Sequence, residues 1–455
     1  MTVSTFSVNN RDYVLHGDPV VVICIDGSEP DYHLRAIEDG RMPWLEKILR
    51  GAGSSWPAHC AMPALTNPNN ISIATGQPPH AHGISGNYIF DPDTGEEVLM
   101  NDKRFLRIPT VFAAATDAGL DVAVVTAKDK LRRLLGAGLV EAGPTLDGGL
   151  GAAPSRPGIC FSAEKADQVT MADNGIEDVL GLVDLPVPEV YSAALSEFTL
   201  AAGVELLRTR RPDLMYLSLT DYIQHKFAPG TETANAFYAM IDRYAAALDE
   251  LGAVVVVTAD HGMSAKSGAD GEPNVIYVEE VVADLLTQAG TSVDGLRVIL
   301  PITDPYTAHH GALGSFATVY LPADADVSGV AGSLAELDGV QEVHARAAAA
   351  ARFGLPVDRI GDLVVLADKG TAVGRFAAWH DLSQLDAPLR SHGGLGELDI
   401  PFIVNRTLEA PPFLDTDLGQ PARVHNYDAF WVGTTGVSAD RERRRRLATG
   451  HSQTR

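Results

Sequence analysis

The stretch LMYLSLTDYIQHK (residues 214–226) joins an apolar run to two side chains that can act together. LMYLSL is typical of a strand buried on both faces. Asp221 and His225 follow it four residues apart, so a helix here would place both on one face. Two plainer interpretations compete with a shared metal: a helix-capping Asp221 beside an unrelated surface histidine, or a simple Asp–His hydrogen bond.

Three further β-branched runs resemble this strand, and helical patterns separate them. Parallel strands joined by crossover helices give this alternation, so the sequence predicts an α/β sandwich with a mostly parallel central sheet. The strand candidates are PVVVICID (19–26), DVAVVTA (121–127) and AVVVVTADH (253–261), and the helix candidates are PWLEKILR (43–50), residues 193–208 and residues 232–251.

Residues 313–370 have a different pattern, in which short strand-like and helix-like segments follow one another. The strand-like segments are FATVYLP, VQEVHA and DLVVLAD, and the helix-like ones lie around residues 330–337 and in an alanine-rich stretch. We therefore predict a small α+β cap insertion at 313–370 within a catalytic core formed by residues 1–312 and 371–455.

Composition excludes several functions. The 455 residues contain 59 acidic and 35 basic side chains, a net charge of −24, which repels nucleic acid and anionic membrane surfaces. No apolar stretch reaches about 18 residues, and the N-terminus lacks a signal-peptide pattern. The three cysteines are few and widely spaced, which favours a reducing compartment. We expect a cytoplasmic protein with no nucleic-acid or membrane partner.

Several predicted strands end in a carboxylate. Ligand sites of open α/β sheets lie beyond the carboxyl ends of the strands, so these acids should meet at one edge. Histidines accompany them, and Thr66 precedes an apparent helix whose N-terminal N–H groups favour negative charge. Mixed oxygen and nitrogen donors suit zinc, and seven candidates exceed the roughly four that one ion uses, which indicates two ions. The candidates are Asp26, Thr66, Asp221, His225, Asp260, His261 and His392.

The order of the motifs IDG, LTNPNN, TDYIQH, ADHGM and SHGG resembles the alkaline phosphatase superfamily, in its nucleotide pyrophosphatase/phosphodiesterase branch. Within that branch the chain is similar to the phosphonoacetate hydrolases over about residues 21–404. The resemblance implies an alkaline phosphatase-like three-layer sandwich, a hydrolase activity, two zinc ions per chain and Thr66 as nucleophile. It assigns one zinc to Asp26, Thr66, Asp260 and His261, and the other to Asp221, His225 and His392.

Two lysines bear on the substrate. Lys128 and Lys130 follow a predicted strand, and in an extended segment both ammonium groups would point to one side. In so acidic a protein they would attract a second anionic group such as a carboxylate, which is the use that phosphonoacetate hydrolases make of lysines. The alternative is that both lysines face solvent. Asn87 matches the position at which the branch binds a phosphoryl oxygen, although an ordinary turn asparagine is the competing interpretation.

The resemblance implies a step of phosphonate degradation: hydrolysis of the carbon–phosphorus bond of phosphonoacetate to acetate and phosphate, through a phosphothreonine. One alternative is a phosphodiesterase or nucleotide pyrophosphatase using the same two metals, with Tyr88, Phe90 or Tyr222 forming an aromatic slot. Two further alternatives are a mutase or sulfatase of the same superfamily and a non-catalytic metal-binding protein. Thr66 weighs against a sulfatase, whose family uses a modified Cys or Ser, and against a non-catalytic protein, which would have lost its nucleophile. The sequence leaves open a homodimer, the metal loaded in the cell, activity toward phosphate esters, and the roles of His309, His310 and His380.

Overall fold

A seven-stranded sheet lies at the centre of the computed structural model, which describes residues 3–145, 147, 149–151, 154, 157–268, 270–302, 313–408 and 423–437. Five strands are parallel, and the two at one side run antiparallel to their neighbours. The four predicted strands are confirmed. The strand order is Ser54–Ser55, Ile403–Val404, Val254–Thr258, Val20–Cys24, Leu214–Ser218, Val122–Thr126 and Ile159–Ser162.

Both faces of this sheet are covered. Alternate residues of the strand Val20–Cys24 enter two separate hydrophobic cores, because side chains alternate along a strand. The helices Thr66–Thr75 and Val111–Asp117 contribute to one core, and Ala194–Thr209 and Glu232–Glu250 to the other. The predicted three-layer α/β sandwich is therefore confirmed.

A second, four-stranded antiparallel sheet has its own apolar core. The strands and helices predicted from residues 313–370 all form, but the sheet also contains Arg297–Ile299, a strand that the sequence analysis missed. The division into core and cap stays a prediction. The strand order is Arg297–Ile299, Phe316–Tyr320, Leu363–Ala367 and Val340–Ala345, and the accompanying helices are Val278–Gln288, Val327–Ala335 and Arg346–Phe353.

Shorter elements complete the described chain, and none of its helices is both long and apolar enough to cross a bilayer. The remaining α-helices are Pro30–Glu38, Pro43–Lys47, Pro79–His82, Arg132–Leu135, Met171–Asn174, Val179–Val183, Tyr222–Lys226 and Ala429–Trp431. The remaining strands are Ser4–Val8, Arg11–Leu15, Ala58–His59, Tyr88–Asp91, Glu96–Leu99, Ser264–Ala265, Val275–Tyr277, Ala372–Gly374, Arg390–Ser391, Asp399–Ile400 and Val424–His425.

The register of the central sheet decides where the functional side chains emerge. The last residues of four parallel strands lie side by side, in the order Thr258, Cys24, Ser218 and Thr126. Any residue two or three positions further along these chains therefore leaves the sheet at the same edge. The residues at those positions are Asp260, Asp26, Asp221 and Lys128.

Candidate active site

The predicted metal-ligating side chains meet at this edge, and all of them are buried. Two groups have ligand atoms within 4.8 Å of one another: Asp221, His225 and His392 in one, and Asp26, Asp221 and His261 in the other. Asp221 belongs to both groups and so lies between them.

The second group is bordered by the other two candidates. Nε2 of His261 lies 3.2 Å from Oδ1 of Asp26, 3.4 Å from the hydroxyl of Thr66 and 3.9 Å from Oδ2 of Asp260. The structure thus brings together all seven side chains that the sequence analysis singled out.

The helix predicted after Leu214–Ser218 is present as Tyr222–Lys226, with Asp221 at its N-cap position. One turn of helix brings Oδ2 of Asp221 to 3.0 Å from Nε2 of His225. His225 is buried, so the interpretation of an unrelated surface histidine is wrong. The Asp–His contact itself exists, but His392 lies against the same pair, with its ring centroid 5.8 Å from that of His225.

Each of the three histidines uses Nδ1 to donate a hydrogen bond to a backbone carbonyl. Because a carbonyl only accepts, Nδ1 carries a proton, and Nε2 is the nitrogen that faces the cluster. Such outer hydrogen bonds are the usual way in which proteins orient metal-binding imidazoles. The acceptors are Arg390 O for His225 (2.9 Å), Gly262 O for His261 (2.9 Å) and Ala64 O for His392 (2.8 Å).

The electrostatics of the cluster favour a bound cation. Burial, reinforced by the neighbouring Asp26, raises the pKa of Asp260 well above its usual range. Burial alone would lower the pKa of His261, but Asp260 and Asp26 raise it to about 9. Oδ1 of Asp26 is buried and has no hydrogen-bond partner among the described residues. Three buried carboxylates with imidazole nitrogens beside them form a donor set that fits zinc or a similar divalent ion.

Thr66 is the first residue of the helix Thr66–Thr75 and is buried. The next residue, Asn67, donates its backbone N–H to Oδ1 of Asn87 at 2.8 Å, so Asn87 lies beside the predicted nucleophile. Since the oxygen of Asn87 is engaged in this bond, its side-chain NH₂ is the group that can donate to a substrate.

Lys128 points toward the cluster. Its ammonium lies 3.3 Å from Oδ1 of Asp221, and the side chain is 11% exposed, so the solvent-facing interpretation is wrong for Lys128. Burial would raise the pKa of Asp221, but Lys128 and His225 outweigh it and hold that pKa well below the usual range.

The expectation of one extended segment through both lysines is also wrong. Lys128 is extended, but Lys130 lies in the 3₁₀ turn Asp129–Leu131 and is half-buried. The turn forms because Asp129 N–H donates to Glu164 (2.8 Å), while the Asp129 carboxylate accepts from Arg132 (2.9 Å) and Ser162 (3.0 Å).

Other singled-out residues lie elsewhere. His380 accepts a hydrogen bond from Arg375 N at 3.1 Å and stacks near Tyr277. Phe90 packs against Tyr320, with their ring centroids 5.1 Å apart. The Arg297 guanidinium lies over the Phe90 ring, 4.2 Å from its centroid. Phe90 is therefore committed to packing against the second sheet. His309 and His310 lie outside the described residues.

The sequence analysis missed a supporting residue within a motif that it quoted. Asn70 of ALTNPNN is fully buried, and its NH₂ donates to Oδ2 of Asp260 and to the carbonyl of Thr66, both at 3.0 Å. Its oxygen accepts from the hydroxyls of Tyr216 (2.8 Å) and Ser218 (2.9 Å). Its position one helical turn after Thr66 was the available signal, because that spacing places both side chains on one face.

The chain is similar to known proteins in sequence and in structure. The sequence profile of the type I phosphodiesterase / nucleotide pyrophosphatase family matches residues 20–395. The chain belongs to that family. The branch predicted from the motifs is thereby confirmed.

One solved relative is similar over nearly the full length of both chains. Phosphonoacetate hydrolase from Sinorhizobium meliloti 1021, solved with phosphonoformate, is 52% identical, with 96% of this chain and 99% of that chain covered and a TM-score of 0.86. Its complex with phosphonoacetate gives 51% identity and the same coverage and TM-score. This similarity confirms the predicted resemblance to phosphonoacetate hydrolases and the alkaline phosphatase-like fold.

Curated relatives match over short segments. An ectonucleotide pyrophosphatase/phosphodiesterase of Caenorhabditis elegans is 33% identical over 81 residues, which is 18% of this chain and 10% of that protein. An uncharacterised pyrophosphatase/phosphodiesterase of Schizosaccharomyces pombe is 32% identical over 104 residues, which is 23% of this chain and 20% of that protein. The chain thus covers a fifth or less of either curated relative.

Replacing Asn70 with Ala should weaken metal binding, because Asn70 holds Asp260 in place. It leaves Asp260 and two buried hydroxyls without their partner, and each such buried group costs about 1–3 kcal/mol. We expect a lower free energy of unfolding, measured by chemical denaturation, and a lower affinity for added divalent metal. Asn235→Ala is the control, because Asn235 is a buried asparagine that bonds Asp39 on another face. Equal metal affinity in the two variants would contradict the supporting role.

Proposed function

We propose that the chain hydrolyses the carbon–phosphorus bond of phosphonoacetate, giving acetate and phosphate. The observation that carries the proposal is the conjunction of the buried cluster of carboxylates and imidazoles with 52% identity to a phosphonoacetate hydrolase over 96% of the chain. The S. meliloti enzyme binds phosphonoacetate and phosphonoformate in its solved complexes, so small anionic phosphonates are the matching substrate class.

The ligand assignment belongs to this proposal. Asp221, His225 and His392 would hold one zinc ion, because their ligand atoms already converge. The other ion would be held by Asp26, Thr66, Asp260 and His261. When bound, two zinc ions would supply Lewis acidity toward phosphoryl oxygens and lower the pKa of coordinated hydroxyl groups.

Thr66 is the proposed nucleophile. Its Oγ forms a bond to phosphorus while the carbon–phosphorus bond breaks, which leaves a phosphothreonine. The electron pair of the broken bond passes to the substrate methylene carbon and is delocalised into the adjacent carboxylate as an enediolate. The Thr66 hydroxyl loses one proton as its bond to phosphorus forms, and the carbon gains one to give acetate, so the protons balance. Water then cleaves the phosphothreonine, which restores the Thr66 hydroxyl and releases phosphate. Asn87 would donate its NH₂ to a phosphoryl oxygen throughout.

Lys128 and Lys130 are the proposed ligands of the substrate carboxylate. Charge develops on that carboxylate as the carbon–phosphorus bond breaks, so ammonium groups beside it stabilise the transition state more than the ground state. The position of the Lys128 ammonium at the edge of the cluster, 3.3 Å from Asp221, supports this role. Two cations beyond the metals would be surplus for a substrate whose one anionic group is phosphoryl.

A phosphodiesterase or nucleotide pyrophosphatase activity is the second candidate, because the family carries that name. It requires an aromatic slot for a nucleobase. The Phe90 ring packs against Tyr320 and Arg297 and is not available for this purpose. Tyr88 and Tyr222, both partly exposed, remain as candidates for the slot. Because fewer aromatic candidates for such a slot remain, we rank this activity second.

The function is tested by assaying phosphate release from phosphonoacetate beside hydrolysis of an aryl phosphodiester, before and after chelation and after zinc is restored. We expect phosphonoacetate to be the better substrate, activity to vanish with chelator and to return with about two equivalents of zinc. Preference for the diester would transfer the proposal to the second candidate. Fewer than one zinc per chain after reconstitution would contradict the two-metal site.

Thr66→Ala should abolish phosphonoacetate turnover, because no other group is proposed to attack phosphorus. Thr66→Ser keeps a hydroxyl and should retain measurable activity with a phosphoenzyme, detected by intact mass after rapid acid quench. Thr75→Ala is the matched control, since Thr75 lies at the other end of the same helix and bonds Ile71 O. Substantial turnover by Thr66→Ala at saturating substrate would exclude the covalent route.

Lys128→Ala and Lys130→Ala should each lower phosphonoacetate turnover by about one to two powers of ten, as expected for the loss of a charged hydrogen bond worth roughly 1.5–3 kcal/mol. Hydrolysis of an aryl phosphate with an uncharged leaving group should change little. Zinc content must be measured in parallel, because Lys128 also pairs with Asp221. Lys47→Ala, at an exposed position, is the control. A parallel fall of both activities with zinc retained would show that the lysines do not bind the carboxylate.

A further inference from the structure

One buried guanidinium contacts several of the segments that carry the proposed metal ligands. Arg390 is 8% exposed, and its Nε donates to the carbonyl of Gln224 at 2.8 Å. One of its terminal nitrogens donates to the carbonyl of Met263 and to the hydroxyl of Tyr32, both at 3.2 Å, and lies 3.8 Å from a carboxylate oxygen of Glu29. Every one of these partners comes from a different part of the chain than Arg390 itself.

Each partner is a close neighbour in sequence of a proposed ligand. Gln224 precedes His225, and Met263 lies two residues after His261. Glu29 and Tyr32 follow Asp26 by three and six residues, and Arg390 itself stands two residues before His392. A single side chain therefore connects the four ligand-bearing segments that follow residues 26, 221, 260 and 390.

The backbone of Arg390 takes part in the same connection. Its carbonyl accepts the Nδ1 proton of His225 at 2.9 Å, which turns Nε2 of that ring toward Asp221. Its strand pairs with Ser264–Ala265, with Arg390 opposite Ala265, so the chain after His261 is also held against the chain before His392. Tyr32 adds a second tie, since its hydroxyl lies 2.8 Å from the carbonyl of Phe227, just beyond the helix that carries His225.

We propose that Arg390 is a positioning residue of the dimetal site, which fixes the spacing of its two ligand groups by binding three acceptors from separate segments at once. This inference rests on the proposed function, because it presupposes that the clustered residues bind metal. The geometry requires a guanidinium: its planar array of donors serves Gln224, Met263 and Tyr32 together, whereas a lysine ammonium is a point charge on a flexible stem. Neighbours of metal ligands commonly change metal affinity by 10–100-fold when replaced.

The test compares zinc affinity in Arg390→Lys and wild-type protein, by competition with a chelator on metal-depleted protein. We expect at least one of the two zinc affinities to fall by about 10–100-fold. Turnover of phosphonoacetate with saturating zinc should fall in kcat while KM changes little, because Arg390 contacts the ligand segments and not the lysines.

Arg375→Lys is the matched control. Arg375 is a half-buried arginine whose guanidinium is held by Glu279 and lies near Glu97, and its sequence neighbours include no proposed ligand. Its replacement should lower stability and leave zinc affinity at the wild-type value. A zinc affinity of Arg390→Lys equal to that of wild type, or an equal fall in Arg375→Lys, would overturn the proposal.

A second variant keeps the proposal testable if Arg390→Lys does not fold. Tyr32→Phe removes one hydroxyl that bonds Arg390 and should weaken zinc binding in the same direction but by less. Wild-type affinity in Tyr32→Phe would then overturn the proposal. If the wild-type protein hydrolyses phosphonoacetate with two zinc ions and the Arg390 variant matches it, only the positioning role fails. If the wild-type protein binds no zinc, the proposed function fails as well.

Discussion

Repulsion between buried carboxylates is the constraint on which this active site depends. Asp26, Asp221 and Asp260 are all withdrawn from water at one edge of the sheet, where negative charge is costly unless it is paired. The protein offsets part of this cost with its own groups: Lys128 beside Asp221, His261 beside Asp26, and Asn70 beside Asp260. Divalent cations would satisfy the same charges far more completely, so an arrangement that is unfavourable on its own becomes a strong metal site.

The geometry of the central sheet brings the three carboxylates together. Its parallel strands end in register, so the residues that follow each strand emerge at the same edge of the sheet. The apolar layers on both faces keep those strands fixed. The short helix after Leu214–Ser218 brings His225 to Asp221, and a hydrogen bond to the carbonyl of Ala64 holds His392 beside that pair.

Local patterns predicted most of the fold and the ligand cluster from the sequence. Runs such as VVVICID and VVVVTADH are buried on both faces and lead into an acid. A few adjacent residues therefore predict both the strand and the functional side chain that follows it. Strands whose pairing is decided at long range escaped prediction, including Arg297–Ile299 and the antiparallel Ile403–Val404. The turn at Lys130 was missed because Glu164, a distant residue, holds it. The role proposed for Arg390 carries no local signal, since its partners lie in three segments far away in sequence.

The contact between Lys128 and Asp221 adds a link between metal binding and binding of the substrate carboxylate. The Lys128 ammonium contacts a carboxylate that is also a proposed metal ligand. A cation bound by Asp221 would repel the ammonium and so favour its contact with a substrate carboxylate, and that carboxylate would in turn reduce the repulsion between the two cations. By thermodynamic reciprocity, each ligand then raises the affinity for the other by the same factor. Metal and phosphonate would thus bind cooperatively, with Lys128 as one side chain that couples them.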